Sequence, residues 1–193
     1  LMAGSLFYLD NFRVRLIEER RAQAEGEAQI AAAALNAAPR RARPTLIATL
    51  GRRSGNRLRL FDTKGKQLLD SFEEGPTTYG FETRADEPWD TEAARRVDRL
   101  AERIVGARLP PPFVDAGAKA RDWPELESVL DGSTVASRVR LASDRTLMVS
   151  AATAVNAERS LFVLSLGNVR DVTRLVRAER YRLAIILAAT LAL

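Results

Sequence analysis

The chain has 193 residues, of which 46% are apolar and 28% are charged, and its formal net charge is +5. This balance predicts a single folded domain with a core of ordinary size. The sequence contains no Cys and no His, which excludes disulfides, thiolate or imidazole metal sites, catalytic triads with a His base, and a phosphoaccepting histidine. We therefore predict no enzyme active site, no metal site and no cofactor in this chain.

The positive charge comes mainly from arginine, since Lys64, Lys66 and Lys119 are the only lysines. A basic chain raises nucleic acid or an anionic membrane as a partner. The arginines are dispersed and are not interleaved with aromatic residues that would stack on bases. We therefore expect no nucleic-acid partner.

Both ends of the chain are apolar. Residues 1–9 and 183–193 carry no charge, whereas charged residues follow the first stretch and precede the second. A spanning helix needs about 20 apolar residues, so we interpret these stretches as the end of one transmembrane helix and the start of another. The alternative is that each belongs to an amphipathic core helix. Residues 10–182 would lie between the spans, and charge does not orient so long a loop.

Residues 10–37 are rich in Ala, Glu, Gln and Arg, which predicts a long helix leaving the membrane. One stripe of this helix suits packing against a second copy or against the chain's own domain; it consists of Ala28, Ala31, Ala32 and Leu35. The prolines of "APRRARP" end the helix, and a short helix is predicted over residues 44–56.

Residues 57–72 predict a β-hairpin. Polar and apolar residues alternate in "RLRL", and the sequence "DTKG" separates this run from a second one. Asp62 at the first turn position and Gly65 at the fourth fit a type I turn with a glycine bulge.

Beyond the hairpin we predict a polar loop, an amphipathic helix over residues 91–108 and a short helix beginning near Pro124. Three strands separated by short turns follow, in residues 133–142, 146–155 and 160–167. The order predicts an α+β fold with a five-stranded antiparallel sheet flanked by helices, framed by long N- and C-terminal helices that enter the membrane.

This order resembles the PAS-like domains that lie outside the cytoplasmic membrane in bacterial signal receptors. Three segments resemble parts of ChvG/ExoS-type sensor histidine kinases of α-proteobacteria. The segment "LFYLDNFRVRLIEERRAQAEGEAQIAAAAL" resembles their membrane-exit helix, and "LRLFDTKGKQLLDS" resembles their first hairpin. The segment "DVTRLVRAERYRLAIILA" resembles the part that leads into their second span. Residues 75–125 resemble no part of that family.

The resemblance implies a PAS-like periplasmic sensor domain over residues 38–170, a juxtamembrane helix over residues 171–182, and location in the bacterial inner membrane. It implies a homodimer whose kinase module, using ATP and Mg, lies beyond Leu193 and acts on a cytoplasmic response regulator. It also implies an acid or envelope signal and a periplasmic inhibitor protein as a further partner.

Acid sensing without His requires carboxyl groups whose pKa lies well above the usual value of about 4. The candidates are the adjacent acids Glu73 with Glu74 and Asp86 with Glu87, and Asp70 on the second strand of the hairpin. The alternative is that all five are solvated loop acids or turn caps.

Arg138 and Arg140 lie two residues apart on a predicted strand and share one face of the sheet. Two guanidinium groups there suit a carboxylate or phosphate ligand, and the alternative is a solvated sheet face. The last helix carries the charged residues that we predict to relay the signal: Asp171, Arg174, Arg177, Glu179 and Arg180.

Other outputs remain open. The same kind of domain serves chemoreceptors and cyclic-dinucleotide signalling proteins, and the composition also suits a membrane-anchored scaffold protein or a soluble basic binding protein. The sequence after the second span distinguishes them, because a kinase has a phosphoacceptor His-Glu helix there and a chemoreceptor has long heptads.

Overall fold

The structure is a computed structural model that describes residues 2–80, 109–115, 117 and 119–170, and positions 96, 103, 106, 178, 179, 181, 182, 185 and 186. The helices are α1 (Met2–Ala37), α2 (Arg43–Ser54) and α3 (Pro124–Leu130), and 3-10 turns at Arg40–Ala42 and Ala120–Asp122 precede the last two. The strands are β1 (Arg57–Asp62), β2 (Gln67–Asp70), β3 (Val135–Leu141), β4 (Leu147–Ala154) and β5 (Leu161–Asn168). The helix predicted over residues 91–108 lies outside the described residues, apart from three single positions.

The predicted hairpin is confirmed, with its turn. The Gly65 N–H donates to the Asp62 carbonyl at 3.0 Å, and Gly65 has φ +72. The Asp62 carboxylate also accepts the backbone N–H groups of Lys64 and Lys66, each at 2.9 Å. These local bonds fix the register of β1 against β2.

The five strands form one sheet in the order β2-β1-β5-β4-β3, and all neighbours are antiparallel. Successive side chains of a strand point to opposite faces, so each face collects alternate residues. The predicted α+β class and the five-stranded antiparallel sheet are therefore confirmed. The described residues of the N- and C-terminal helices do not show entry into a membrane.

One face of the sheet is covered by α1 and α2. Leu58, Leu60 and Val163 of the sheet are buried against the small stripe of α1 and against Ile47 of α2. All four residues of that stripe are buried inside the domain: Ala28, Ala31, Ala32 and Leu35. The stripe therefore packs against the chain's own sheet, which was the second of the two predicted uses.

The opposite face is covered by α3. Trp123, Leu126 and Val129 pack on the side chains of Phe61, Phe162, Leu164 and Leu166. Burying side chains of this size stabilises the fold by about 1.5–3 kcal/mol each. This second core holds α3 over the centre of the sheet and brings its first turn beside the charged residues described below.

The first half of α1 lies at the same end of the sheet as the chain that leaves β5. Leu16 and Ile17 pack with Leu147 and Val169, and the Val169 N–H donates to the Leu147 carbonyl at 2.7 Å. In the described ranges, no helix combines the length and the apolar composition needed to cross a membrane.

Candidate functional site

Two arginines and two aspartates meet on the α3 side of the sheet. Arg57 and Arg59 are two residues apart on β1, so they project from the same face, and Asp70 is the β2 partner of Arg59. Asp115 approaches the same arginines from the segment before the 3-10 turn. We call these four residues the arginine–aspartate network.

Asp70 lies at the centre of the network and is completely buried. Its carboxylate accepts hydrogen bonds from Arg57 Nη2 at 2.7 Å, from Arg59 Nε at 3.0 Å and from the Phe72 backbone N–H at 3.0 Å. Bidentate, charge-assisted contacts of this kind are the strong ones in proteins. Asp70 is therefore neither a solvated acid nor an isolated buried one.

Asp115 lies at the outer edge of the network. One of its oxygens is 2.9 Å from Arg57 Nη1 and the other is 3.1 Å from Arg59 Nη2, while half of its side chain is exposed. The two guanidinium groups thus share one buried carboxylate and one exposed carboxylate. The exposed pairs contribute much less to stability than the buried ones.

The network sets the titration of Asp70. Burial alone would raise the pKa of Asp70, but the hydrogen bonds from Arg57 and the Phe72 N–H, with the charges of Arg57 and Arg59, outweigh burial and lower it. An acid sensor needs a raised pKa, so the expectation that Asp70 titrates well above 4 is wrong. Its charged neighbours Arg57 and Arg59 on the adjacent strand reverse the effect of burial.

Aromatic rings pack against the arginines of the network. The Arg57 guanidinium lies 4.9 Å from the centroid of the Phe72 ring, and Phe72 meets Tyr79 edge to face at 5.2 Å. Burial raises the pKa of Tyr79 to about 12, so its phenol stays neutral under physiological conditions. The Arg59 guanidinium lies 5.4 Å from the Trp123 ring centroid. These cation–π contacts help to hold the two guanidinium groups in place.

A second buried ion pair also contacts Trp123. Arg140 Nη1 and Nη2 donate to the two Glu125 oxygens at 2.9 Å and 2.7 Å, and Nη1 also donates to the Ser150 hydroxyl at 2.7 Å. The Arg140 guanidinium is 5.4 Å from the Trp123 centroid, the same distance as that of Arg59. Trp123 therefore contacts both charged groups.

Arg138 and Arg140 share one face of β3, as predicted, but they do not form a common ligand site. Arg140 is buried and bound to Glu125, whereas Arg138 is exposed. The alternative of a solvated face holds for Arg138 and is wrong for Arg140. The reason is that α3 covers only part of this strand, and Glu125 in its first turn neutralises the residue that it covers.

Arg138 instead lines a pocket at the open edge of β3. The pocket has a volume of about 480 Å³ and lies between α1, β3 and the segment at Pro110 and Pro111. Arg21 of α1 donates to the Ser137 hydroxyl at 3.2 Å, and Ser137 donates to Glu25 of α1. One wall of the pocket is therefore formed by α1.

The remaining candidates that the structure describes do not join either cluster. Glu73 and Glu74 are exposed, and the backbone N–H of each donates to the Asp70 carbonyl at 3.0 Å in the turn after β2. Glu179 is helical and accepts a hydrogen bond from Arg182 at 2.8 Å. The other candidates lie outside the described residues: Asp86, Glu87, Asp171, Arg174, Arg177 and Arg180.

Sequence reasoning missed Arg57, Arg59, Asp115 and Glu125. Two arginines alternating with leucines on a strand, opposite an Asp on its hairpin partner, were a usable signal for the first two. No local pattern marks Asp115 or Glu125, because their partners are distant in sequence. In the parts of the chain described, no group of three or more acidic side chains is arranged to hold a metal ion.

Arg170, where the chain leaves the sheet, makes further contacts with the domain. Arg170, which follows β5, lies 3.6 Å from the Asp144 carboxylate of the β3–β4 turn and donates to the Gly80 carbonyl at 2.9 Å. These bonds connect the exit of the domain with a turn of the sheet and with the segment after β2.

Comparisons of the chain with protein-family models, with curated proteins and with solved structures each found no match.

Proposed function

We propose that this chain is the extracytoplasmic sensing region of a membrane-bound two-component sensor histidine kinase, which passes an envelope or acid-type signal to a kinase module outside this chain. The observation that carries the proposal is the sheet order β2-β1-β5-β4-β3 with antiparallel neighbours. This is the order expected of a PAS-like sheet. It supports the resemblance that the sequence segments suggest.

The path of the chain supports the same proposal. Leu16 and Ile17 of α1 pack beside Val169, where the chain leaves the sheet, so both long segments meet the domain at one end. A sensor held between two spans needs this geometry. We propose that α1 comes from a first span and that residues 171–182 lead into a second, in a homodimer of the inner membrane.

The proposed relay uses the contacts between α1 and the sheet. α1 packs along β3, β4 and β5, while Arg170 ties the exit to Asp144 and Gly80. A signal that changes either contact shifts the first and last helices relative to each other. Two states separated by a few kcal/mol suffice, because a signal acts by favouring one of them.

An acid signal in this proposal does not act through the two buried carboxylates. The pKa of Asp70 is lowered, and so is that of Glu125, where burial would raise the pKa but the hydrogen bonds from Arg140 and Ser150 outweigh it. Both groups stay charged in mild acid. The candidates for an acid signal are then the exposed Glu73 and Glu74, and Asp86 and Glu87.

The reading frame of the parent gene tests the proposal directly. We expect a completed apolar span after Leu193, then a short linker and a phosphoacceptor His-Glu helix. Alkaline phosphatase inserted at Ala157, in the turn between β4 and β5, should be active, because that turn would lie outside the cytoplasm. A stop codon or long heptads after Leu193 would instead indicate a scaffold or a chemoreceptor, and an inactive insertion would contradict the periplasmic location.

The last helix provides a test of the relay. We expect Glu179→Gly with Arg180→Gly to uncouple signal from kinase output, since each glycine weakens a helix by about 1 kcal/mol relative to alanine. The matched control is Glu179→Ala with Arg180→Ala, which removes the same side chains but favours the helix. Autophosphorylation of the parent kinase in vesicles, with and without the signal, measures the effect. Equal signalling by the glycine pair and the wild type would contradict a rigid helical link.

A further inference from the structure

All three lysines of the chain come together in one groove. The β1–β2 turn brings Lys64 and Lys66, and the segment before α3 brings Lys119, to a groove with a volume of about 960 Å³. We call it the lysine groove. Its charged lining consists of Lys64, Lys66, Lys119 and Arg121, with Glu127 and Asp131 from the end of α3.

The backbone holds two of these like charges opposite each other. Lys66 and Lys119 form an antiparallel β-bridge, and the Ala120 N–H donates to the Gly65 carbonyl at 2.9 Å. Like charges directly opposite across a β-pair are destabilising. The two backbones approach closely here, because a Cβ built on Gly65 would lie only 2.6 Å from the Ala120 Cβ.

In the described part of the chain, the basic residues of the lysine groove have no ion-pair partner. Lys64, Lys66, Lys119 and Arg121 are exposed, and none forms an ion pair with a carboxylate of the described residues. Glu127 and Asp131 supply only two negative charges to the same groove. The lining therefore keeps a net positive charge. An anionic partner would reduce the repulsion between its basic residues.

We infer that the lysine groove binds an acidic segment of a partner protein. The carboxylates of the segment pair with the lysines and Arg121, and its backbone N–H or hydroxyl donors pair with Glu127 and Asp131. A single-stranded nucleic acid suits the groove less well, since no aromatic residue in the lining stacks on a base. This inference does not depend on the sensor proposal.

The position of the groove favours a protein over a membrane surface. Lys64 and Lys66 come directly after Asp62, which pairs with Leu161 at the start of β5. The chain leaves the sheet at Val169 beside Leu147, at the other end of β5. The lysines thus lie at the end of the sheet opposite the exit. A soluble segment reaches them there whichever way the exit is anchored.

Lysine chemistry tests the inference, because these three residues and the α-amino group are the only amines in the chain. The probe is a fluorescein-labelled peptide of alternating glutamate and serine, and the full chain is titrated with it while anisotropy is followed. Acetylation removes the lysine charges and should weaken binding about tenfold. Reductive dimethylation keeps the charges at the same positions and should change the affinity less than about twofold.

Variants give an independent readout. We expect Lys66→Gln with Lys119→Gln to lose peptide affinity and to keep or increase the midpoint of urea unfolding, because a repulsive pair is removed. The control is Arg40→Gln with Arg41→Gln, which removes two exposed charges distant in sequence from the groove. Equal loss of affinity in both double variants, or tighter binding of tripolyphosphate or of phosphatidylglycerol vesicles than of the peptide, would overturn the inference.

Discussion

Replacing Asp70 with Asn should lower the free energy of unfolding by about 3–5 kcal/mol. The substitution keeps the shape of the side chain and removes its charge, so Arg57 and Arg59 lose the one buried carboxylate that they share. Each then has only Asp115, which is half exposed, as its acidic partner in the network. Urea unfolding at neutral pH measures the change.

Asp115→Asn is the matched control for this variant. It makes the same chemical change in a carboxylate that contacts the same two arginines, but at the exposed edge of the network. We expect it to cost less than about 1 kcal/mol, as exposed ion pairs do. Similar losses in the two variants would show that the buried position of Asp70 has no special role.

The lowered pKa of Asp70 also predicts how the stability of the protein changes with pH. Its pKa in the folded protein is lowered, so its stabilising effect is complete above the unfolded value of about 4 and is lost as the pH falls through the folded value. The wild type should therefore lose stability on acidification below about pH 4. Asp70→Asn should lose less over the same range, because the titrating group is gone.

The parts of the fold that were predictable depend on local chemistry. The turn from Asp62 to Gly65 is specified by an Asp that binds nearby N–H groups and a Gly that accepts positive φ, so both strands of the hairpin follow. β3, β4 and β5 were predictable because short turns separate apolar runs. Neither signal gives the order of strands in the sheet, which depends on contacts between distant segments.

The parts that were not predictable depend on which surface covers a residue. A stripe such as Ala31 and Ala32 looks the same whether it faces a sheet or a second copy of the helix, and the structure places it against the sheet. Arg138 and Arg140 are equivalent by strand periodicity, yet α3 covers one and leaves the other exposed. Periodicity identifies faces, and only tertiary packing decides what each face contacts.

Glu125→Gln should also lower the free energy of unfolding by about 3–5 kcal/mol. The Glu125 carboxylate is fully buried and accepts two hydrogen bonds from Arg140, so the variant leaves a guanidinium with no buried charge to balance it. The cost arises from the charge left without its partner rather than from a large contribution of the intact pair. Urea unfolding, with circular dichroism to verify the folded state, measures it.

The double variant Glu125→Leu with Arg140→Met separates these two explanations. Replacing both members of a buried ion pair with apolar residues is often neutral or stabilising, whereas removing one member is costly. We therefore expect the double variant to be more stable than Glu125→Gln, with Trp123 packing on the new apolar side chains. If the double variant is instead less stable than Glu125→Gln, the intact ion pair itself stabilises α3 on the sheet.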